Sequence, residues 1–183
     1  GQLIYQESLA QYPEKPITLI TPFAAGGSSD LIARVFTTYL NNYLVQPMLI
    51  RLVPGQAGQK GTLEAIRAVP DGYTLVFIDN YRDQLHQYTF PNDFYDTNED
   101  LVTVARINYG QIAIIVRATG PYQSWDEFLV AARAGSSQLK MAHSGLWAAL
   151  FVPAWRIMQE FDLRFRMVSY RGGGPAKAAL MAG

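Results

Sequence analysis

PFAAGGSSD, residues 22–30, is the junction between two opposite patterns. Upstream, Ile17, Leu19 and Ile20 are apolar and mostly β-branched, which suits a strand buried in a parallel sheet. Downstream, Ile32, Val35, Phe36, Tyr39, Leu40 and Tyr43 recur at three- and four-residue steps, the mark of one helical face. Between the two, Gly26 and Gly27 reach backbone conformations closed to other residues, and Ser28, Ser29 and Asp30 are good caps for the helix. A strand, a glycine turn and a bare helix N-terminus bring free amides to the positive end of a helix dipole, the usual physical basis for holding a carboxylate or phosphate. A tight connection that binds nothing explains the glycines equally well.

The same grammar repeats along the chain. Residues 13–16, PEKP, are a rigid lead-in to a strand over Ile17 to Phe23, and the helix from Ser29 ends near Leu44, before Pro47. Met48 to Val53 is a second strand, bounded by Pro47 and Pro54. PGQAGQKG at 54–61 is a second glycine turn, with Leu63, Ile66 and Val69 following at helical spacing. Pro70-Asp71-Gly72 is a turn in which proline sets the first torsion and glycine the last, and Tyr73 to Ile78 is a third strand. Strand, turn and helix in repetition predict a parallel α/β sheet with right-handed crossovers.

Asp79 to Asp100 has no clean period; a short helix and then a loop are expected, packed by Tyr88, Phe90, Phe94 and Tyr95. Leu101 to Ile107 and Gln111 to Ala118 read as two strands. Ser124 and Glu127 have the spacing of a capping box, opening a helix that runs to Gly135, with Trp125 and Trp155 as core or inter-helix contacts. Leu139 to His143 reads as a strand, Leu146 to Glu160 as a helix interrupted at Pro153, and Arg164 to Tyr170 as a half-exposed strand. RGGGP at 171–175 is a third glycine turn, with Pro175 opening a last helix.

Composition excludes several classes of function. Charge is balanced at 15 basic against 15 acidic residues with no polybasic run, so no nucleic-acid footprint is present. Zero cysteines removes disulfides, thiolate chemistry and cysteine-ligated metals. The two histidines, His86 and His143, lack a second ligand at helical spacing, so neither a metal nor any other cofactor is expected. Residues 1–12 do not read as a signal peptide, and no apolar run has the length of a membrane span.

Three separated segments, YPEKPITLITPFAAGGSSDLIAR, PGQAGQKGTLEAIRAVPDGYTL and SYRGGGPAKAALMAG, resemble the substrate-binding proteins of tripartite tricarboxylate transporters, the Bug family. The resemblance runs from Tyr12 to Gly183. It implies an α/β fold of the type II periplasmic binding protein kind, with two lobes of parallel-rich sheet flanked by helices. The lobes would be 1–100 and 101–183, the second incomplete and the fold cut short at its C-terminus. It also implies capture of a small organic acid in the periplasm for membrane transporter subunits, with no reaction catalysed. If the chain ends at Gly183, self-association through an open sheet edge is expected.

By position in that family, the ligand would lie between Phe23, Ala24, Ala25, Gly26, Gly27, Ser28, Ser29 and Asp30 on one side and the 142–149 loop on the other, with His143, Ser144, Gly145 and Trp147 in contact. Asp79 and Asn80, after the third strand, complete the expected site. Where the family has small and hydroxyl residues, this chain has AHSGLWAA at 142–149, so Leu146 and Trp147 would narrow or desolvate the pocket. Asp79 would repel a second anion unless it faces away or the ligand carries an amine. Arg171 reads as a solvated side chain and Gly172 to Gly174 as a shaping turn.

A hydrolase lacks support, since there is no GxSxG elbow and His143 and Ser144 are sequence neighbours. A nucleotide site lacks its P-loop lysine or GxGxxG. The remaining alternative keeps the fold and discards transport, as a ligand-sensing or structural remnant.

Overall fold

In the computed structural model, which describes residues 12–78, 95–134, 139–164 and 166–183, β1 (Ile17–Thr21) is the middle of a three-stranded parallel sheet. β2 (Met48–Leu52) and β3 (Thr74–Val76) flank it, with Leu19 opposite both Ile50 and Leu75. β1 has neighbours on both edges and is buried on both faces, so its apolar residues need not alternate with polar ones. Its core joins Ile17, Leu19 and Met48 to Ala33 of α1 (Ser28–Leu40), with Phe36, Leu40, Leu44 and Phe77 packed around them.

The face of α1 that meets the sheet differs from the expected one. Ala33, Phe36, Thr37 and Leu40 turn inward, whereas Val35, Tyr39 and Tyr43 are 64–72% exposed. Asp30 is the reason: its buried carboxylate fixes the first turn, and the rest of the helix follows at 100° per residue. Tyr39 and Tyr43 instead pack on each other, ring centroids 5.3 Å apart.

After β2, a 3-10 turn over Gln56–Gly58 leads into α2 (Gln59–Ile66). A one-turn helix, α3 (Thr97–Asp100), is capped by Asp96, which accepts the Asn98 N–H at 2.7 Å. The expected helix beginning at Asp79 and most of the aromatic stretch after it lie outside the described residues; Tyr95 is buried.

The second sheet pairs β4 (Lys140–His143) with β5 (Arg166–Ser169) in parallel, His143 opposite Ser169. α4 (Trp125–Arg133) and α5 (Phe151–Glu160) cover it through Phe128, Ala132, Leu163, Ile157 and Met167. Ser124 caps α4 by accepting the Glu127 N–H at 3.2 Å. Glu127 reaches back to the N–H of Gln123 rather than to that of Ser124. Trp125 stacks on Phe128 and meets Phe161 edge-on, the inter-helix contact expected of it. α6 (Gly173–Ala182) closes the chain and packs against β4.

Two further expectations fail. Residues 101–107 and 111–118 form no strand, and Val102, Val104 and Ile115 are 61–90% exposed. A β-prone run becomes a strand only where another backbone accepts its hydrogen bonds, and none of the described residues does so here. The helix expected from Leu146 starts at Phe151, and 146–150 is a turn. Pro153 then falls in the first turn of α5, where its missing N–H costs nothing, so it starts the helix instead of interrupting it.

Candidate functional site

The glycine turn after β1 is held from within. Gly27 is the N-cap of α1, and neither Ser28 nor Ser29 caps it by side chain. Asp30 reaches back instead, its Oδ2 accepting the Gly26 N–H at 2.8 Å, while its Oδ1 lies 2.8 Å from Arg34 Nε. The latter is a close ion pair without the alignment of a hydrogen bond, which leaves that buried oxygen otherwise unbonded. Burial works to raise the Asp30 pKa, but the Gly26 N–H and the Arg34 guanidinium together hold it below the ordinary aspartate value. Asp30 is therefore an internal brace of the turn. One residue before the loop, Thr21 is fully buried with its Oγ1 unbonded.

The loop's backbone divides into used and free donors. Gly26 N–H is taken by Asp30, and Ala24 N–H donates to the Arg171 carbonyl at 3.1 Å. Among the described residues, the amides of Gly27, Ser28 and Ser29 have no protein acceptor. The same holds for Gly173 and Gly174, which open α6 behind an N-cap glycine, Gly172, at φ 134°.

These two helix starts touch through bare backbone. A Cβ built on Gly27 would lie 3.2 Å from the Gly174 nitrogen, and one on Gly174 only 2.2 Å from the Ala25 carbonyl oxygen. Nothing larger than glycine admits this approach. Each helix end carries roughly half a positive charge, and two such ends about 4 Å apart repel by about 1 kcal/mol at an effective dielectric near 20. The Asp30 carboxylate offsets part of that repulsion, and a bound anion would offset more.

The 142–149 loop stands against the same cluster. A Cβ on Gly145, at φ 132°, would meet Ala57 at 2.8 Å, and Leu150 Cδ1 lies within 3.9 Å of one on Gly173. His143 is buried, with Nδ1 3.0 Å from the Gly145 carbonyl and 3.3 Å from its nitrogen. Burial pushes the imidazole pKa down, and the Gly145 carbonyl opposes the shift. Ser144 is buried and Trp147 half-buried at φ 60°. The Phe151 and Val152 amides donate to Ala148, and the Ala148 amide donates to Gly145, so the head of α5 keeps much of its donor capacity for itself.

The structure thus brings the 23–30 turn and the 143–147 loop to one neighbourhood, with the 171–174 turn wedged between them. Sequence reasoning gave that third turn a shaping role; the signal for more was the three consecutive glycines, which pay an entropic cost with no obvious need for it. Phe23 is buried and Ala25 is exposed at the bend. Asp79 and Asn80 lie outside the described residues. Among the described residues no group of three potential ligands could hold a metal, and no helix is long and apolar enough to cross a membrane.

A family model described as the tripartite tricarboxylate transporter family receptor matches residues 32–183. Protein BugT of Bordetella pertussis is 29% identical over 177 residues, covering 94% of this chain and 53% of that protein. A solved structure described as a periplasmic transporter superposes with a TM-score of 0.81 at 29% identity, over 94% of this chain and 58% of the other. MatC from Rhodopseudomonas palustris, solved with bound malate, gives a TM-score of 0.86 at 26% identity, with the same shares. The chain spans about half the length of the curated relatives it matches. From the glycine turns, the two parallel sheets and these matches, the chain belongs to the tripartite tricarboxylate transporter receptor family.

Proposed function

We propose that this chain carries the carboxylate-binding part of a solute receptor, and that it captures a small organic acid for the membrane subunits of a tripartite transporter. As a member of its family it is periplasmic. The observation that carries the reading is the pair of helix starts at Gly27 and Gly173, whose unpaired amides lie on two backbones that meet where Gly174 abuts residues 25–27, an approach a Cβ on Gly174 would block. The bound malate of MatC is consistent with such chemistry. The two sheets are read as the two lobes, 1–100 and 101–183, with ligand contacts from Phe23 to Ser29, from Gly173 and Gly174, and from His143, Ser144, Gly145 and Trp147. Asp30 acts by bracing the turn. No chemical step follows capture; the ligand is released unchanged.

A thermal-shift screen with mono- and dicarboxylates, aromatic acids and acidic amino acids tests this. At a ligand concentration 100 times Kd, binding adds about 2.7 kcal/mol to stability, enough to move the melting temperature by several degrees. At least one acid is expected to do so, and Gly27→Val, whose side chain would press on the Gly174 amide, is expected to abolish the shift. Silence across the panel refutes the reading and favours a remnant of the fold without a capture role.

A further inference from the structure

Trp147 sits in a backbone conformation that bulky residues avoid, at φ 60°, on the turn between β4 and α5. Its ring meets Phe151 edge-on, centroids 5.3 Å apart at 72°, and Phe151 meets the His143 ring at 5.0 Å. His143 and Phe151 are buried while Trp147 is half-buried, so the three form a continuous aromatic surface whose outermost ring keeps accessible area. The indole N–H has no acceptor among the described residues.

This surface stands on the turn that abuts Ala57 at Gly145, and Leu150, at the end of the same turn, comes within contact of Gly173, one of the residues whose amide is free. Residues 144–150, SGLWAAL, carry no charged side chain. A ligand with one carboxylate on the amides would have its body against an apolar, aromatic wall. A flat ring there gains edge or offset stacking, whereas a second carboxylate would lose water and find no cation on that turn.

We propose that Trp147, backed by Phe151 and His143, selects acids with a planar apolar body, so that this receptor takes aromatic monocarboxylates in preference to short aliphatic dicarboxylates. The proposal rests on the carboxylate reading above and names the substrate class within it.

Calorimetric titration of the purified protein with benzoate, 2-naphthoate, malate and adipate separates the two claims. The expected result is at least tenfold tighter binding of an aromatic acid than of malate or adipate. Trp147→Ala should weaken the aromatic acid at least tenfold, Trp147→Phe should restore most of that loss, and binding of 2-naphthoate should change the tryptophan fluorescence of the native protein. Trp147→Gly, which suits the left-handed backbone, guards against misfolding: it should still unfold in a single cooperative transition yet share the loss of aromatic affinity. If malate or adipate binds as tightly as the aromatic acids, or Trp147→Ala and Trp147→Gly leave aromatic affinity unchanged, the specificity proposal is wrong while carboxylate capture stands. If none of the four acids binds while another acid of the wider thermal-shift panel does, the specificity proposal alone is wrong; silence across that whole panel overturns both.

Discussion

Replacing Gly174 by alanine tests the contact on which the site is built. The new Cβ would sit 2.2 Å from the Ala25 carbonyl oxygen and 2.9 Å from both the Gly26 carbonyl carbon and the Gly27 nitrogen. All three are backbone atoms, so no side chain can swing aside. Ordinary contact begins near 3.4 Å, so one turn must retreat from the other by about 1 Å, and overpacking of this kind costs about 3 kcal/mol. Alanine recovers up to about 1 kcal/mol of helix propensity, which leaves a net loss of about 2 kcal/mol, or roughly thirtyfold in the folding equilibrium. Gly173→Ala is the internal control. Its Cβ would touch Gly27 Cα and Leu150 Cδ1 at 3.9 Å, an ordinary contact, so its stability should stay within about 0.5 kcal/mol of the native protein. Urea unfolding with unchanged m-values measures both, and the melting temperature of Gly174→Ala should fall by about 4–8 °C. Equal stability of the two variants would mean that the 25–27 and 173–174 backbones do not touch, and the converging-amide argument would fall with that contact.

Acid stability follows from two buried groups. Asp30 has a folded pKa below its unfolded one, so its contribution is present above the ordinary aspartate range and is lost as pH falls through the folded value. His143 has a depressed folded pKa, so the unfolded chain takes up its proton first, and stability falls as pH drops below the ordinary histidine range. Urea midpoints measured from pH 8 to pH 3 should therefore decline in two stages, with Asp30→Asn flattening the lower and His143→Gln the upper; a native protein with one featureless slope would contradict both assignments. The exposed apolar stretch at 101–118 makes a separate claim: sedimentation of this 183-residue chain should show concentration-dependent association, and Val104→Lys with Ile115→Lys should suppress it. A native chain that stays monomeric at high concentration would show that the stretch is not adhesive.

How far the sequence carries depends on whether the deciding forces are local. Apolar runs at 17–21 and 48–52, the turn at Pro70-Asp71-Gly72 and the cap at Ser124 act within a few residues, so their places could be read directly, with ends that differ by a residue or two. The same holds for Gly26 and Gly27 as a turn before a helix. Which face of α1 turns inward could not be read that way, because it hangs on a buried carboxylate that looks in sequence like one more surface cap. Residues 101–118 have the composition of strands, yet pairing is a property of two backbones, and composition describes only one.

The candidate site divides along the same line. Its chemistry, glycine-lined amides at a helix start, follows from residues 22–30 alone because helix geometry leaves those donors unpaired wherever the helix begins. Its second half does not: Gly173 and Gly174 lie far along the chain from Gly27, and only the packing of α6 against β4 carries their amides to the first turn. Trp147 likewise has its edge contact only because the fold places Phe151, itself packed on His143, against it. Local backbone physics thus determined that this protein has a glycine turn with unpaired amides at a helix start. Long-range packing, which depends on volumes and contacts that no short stretch encodes, decided what that turn faces.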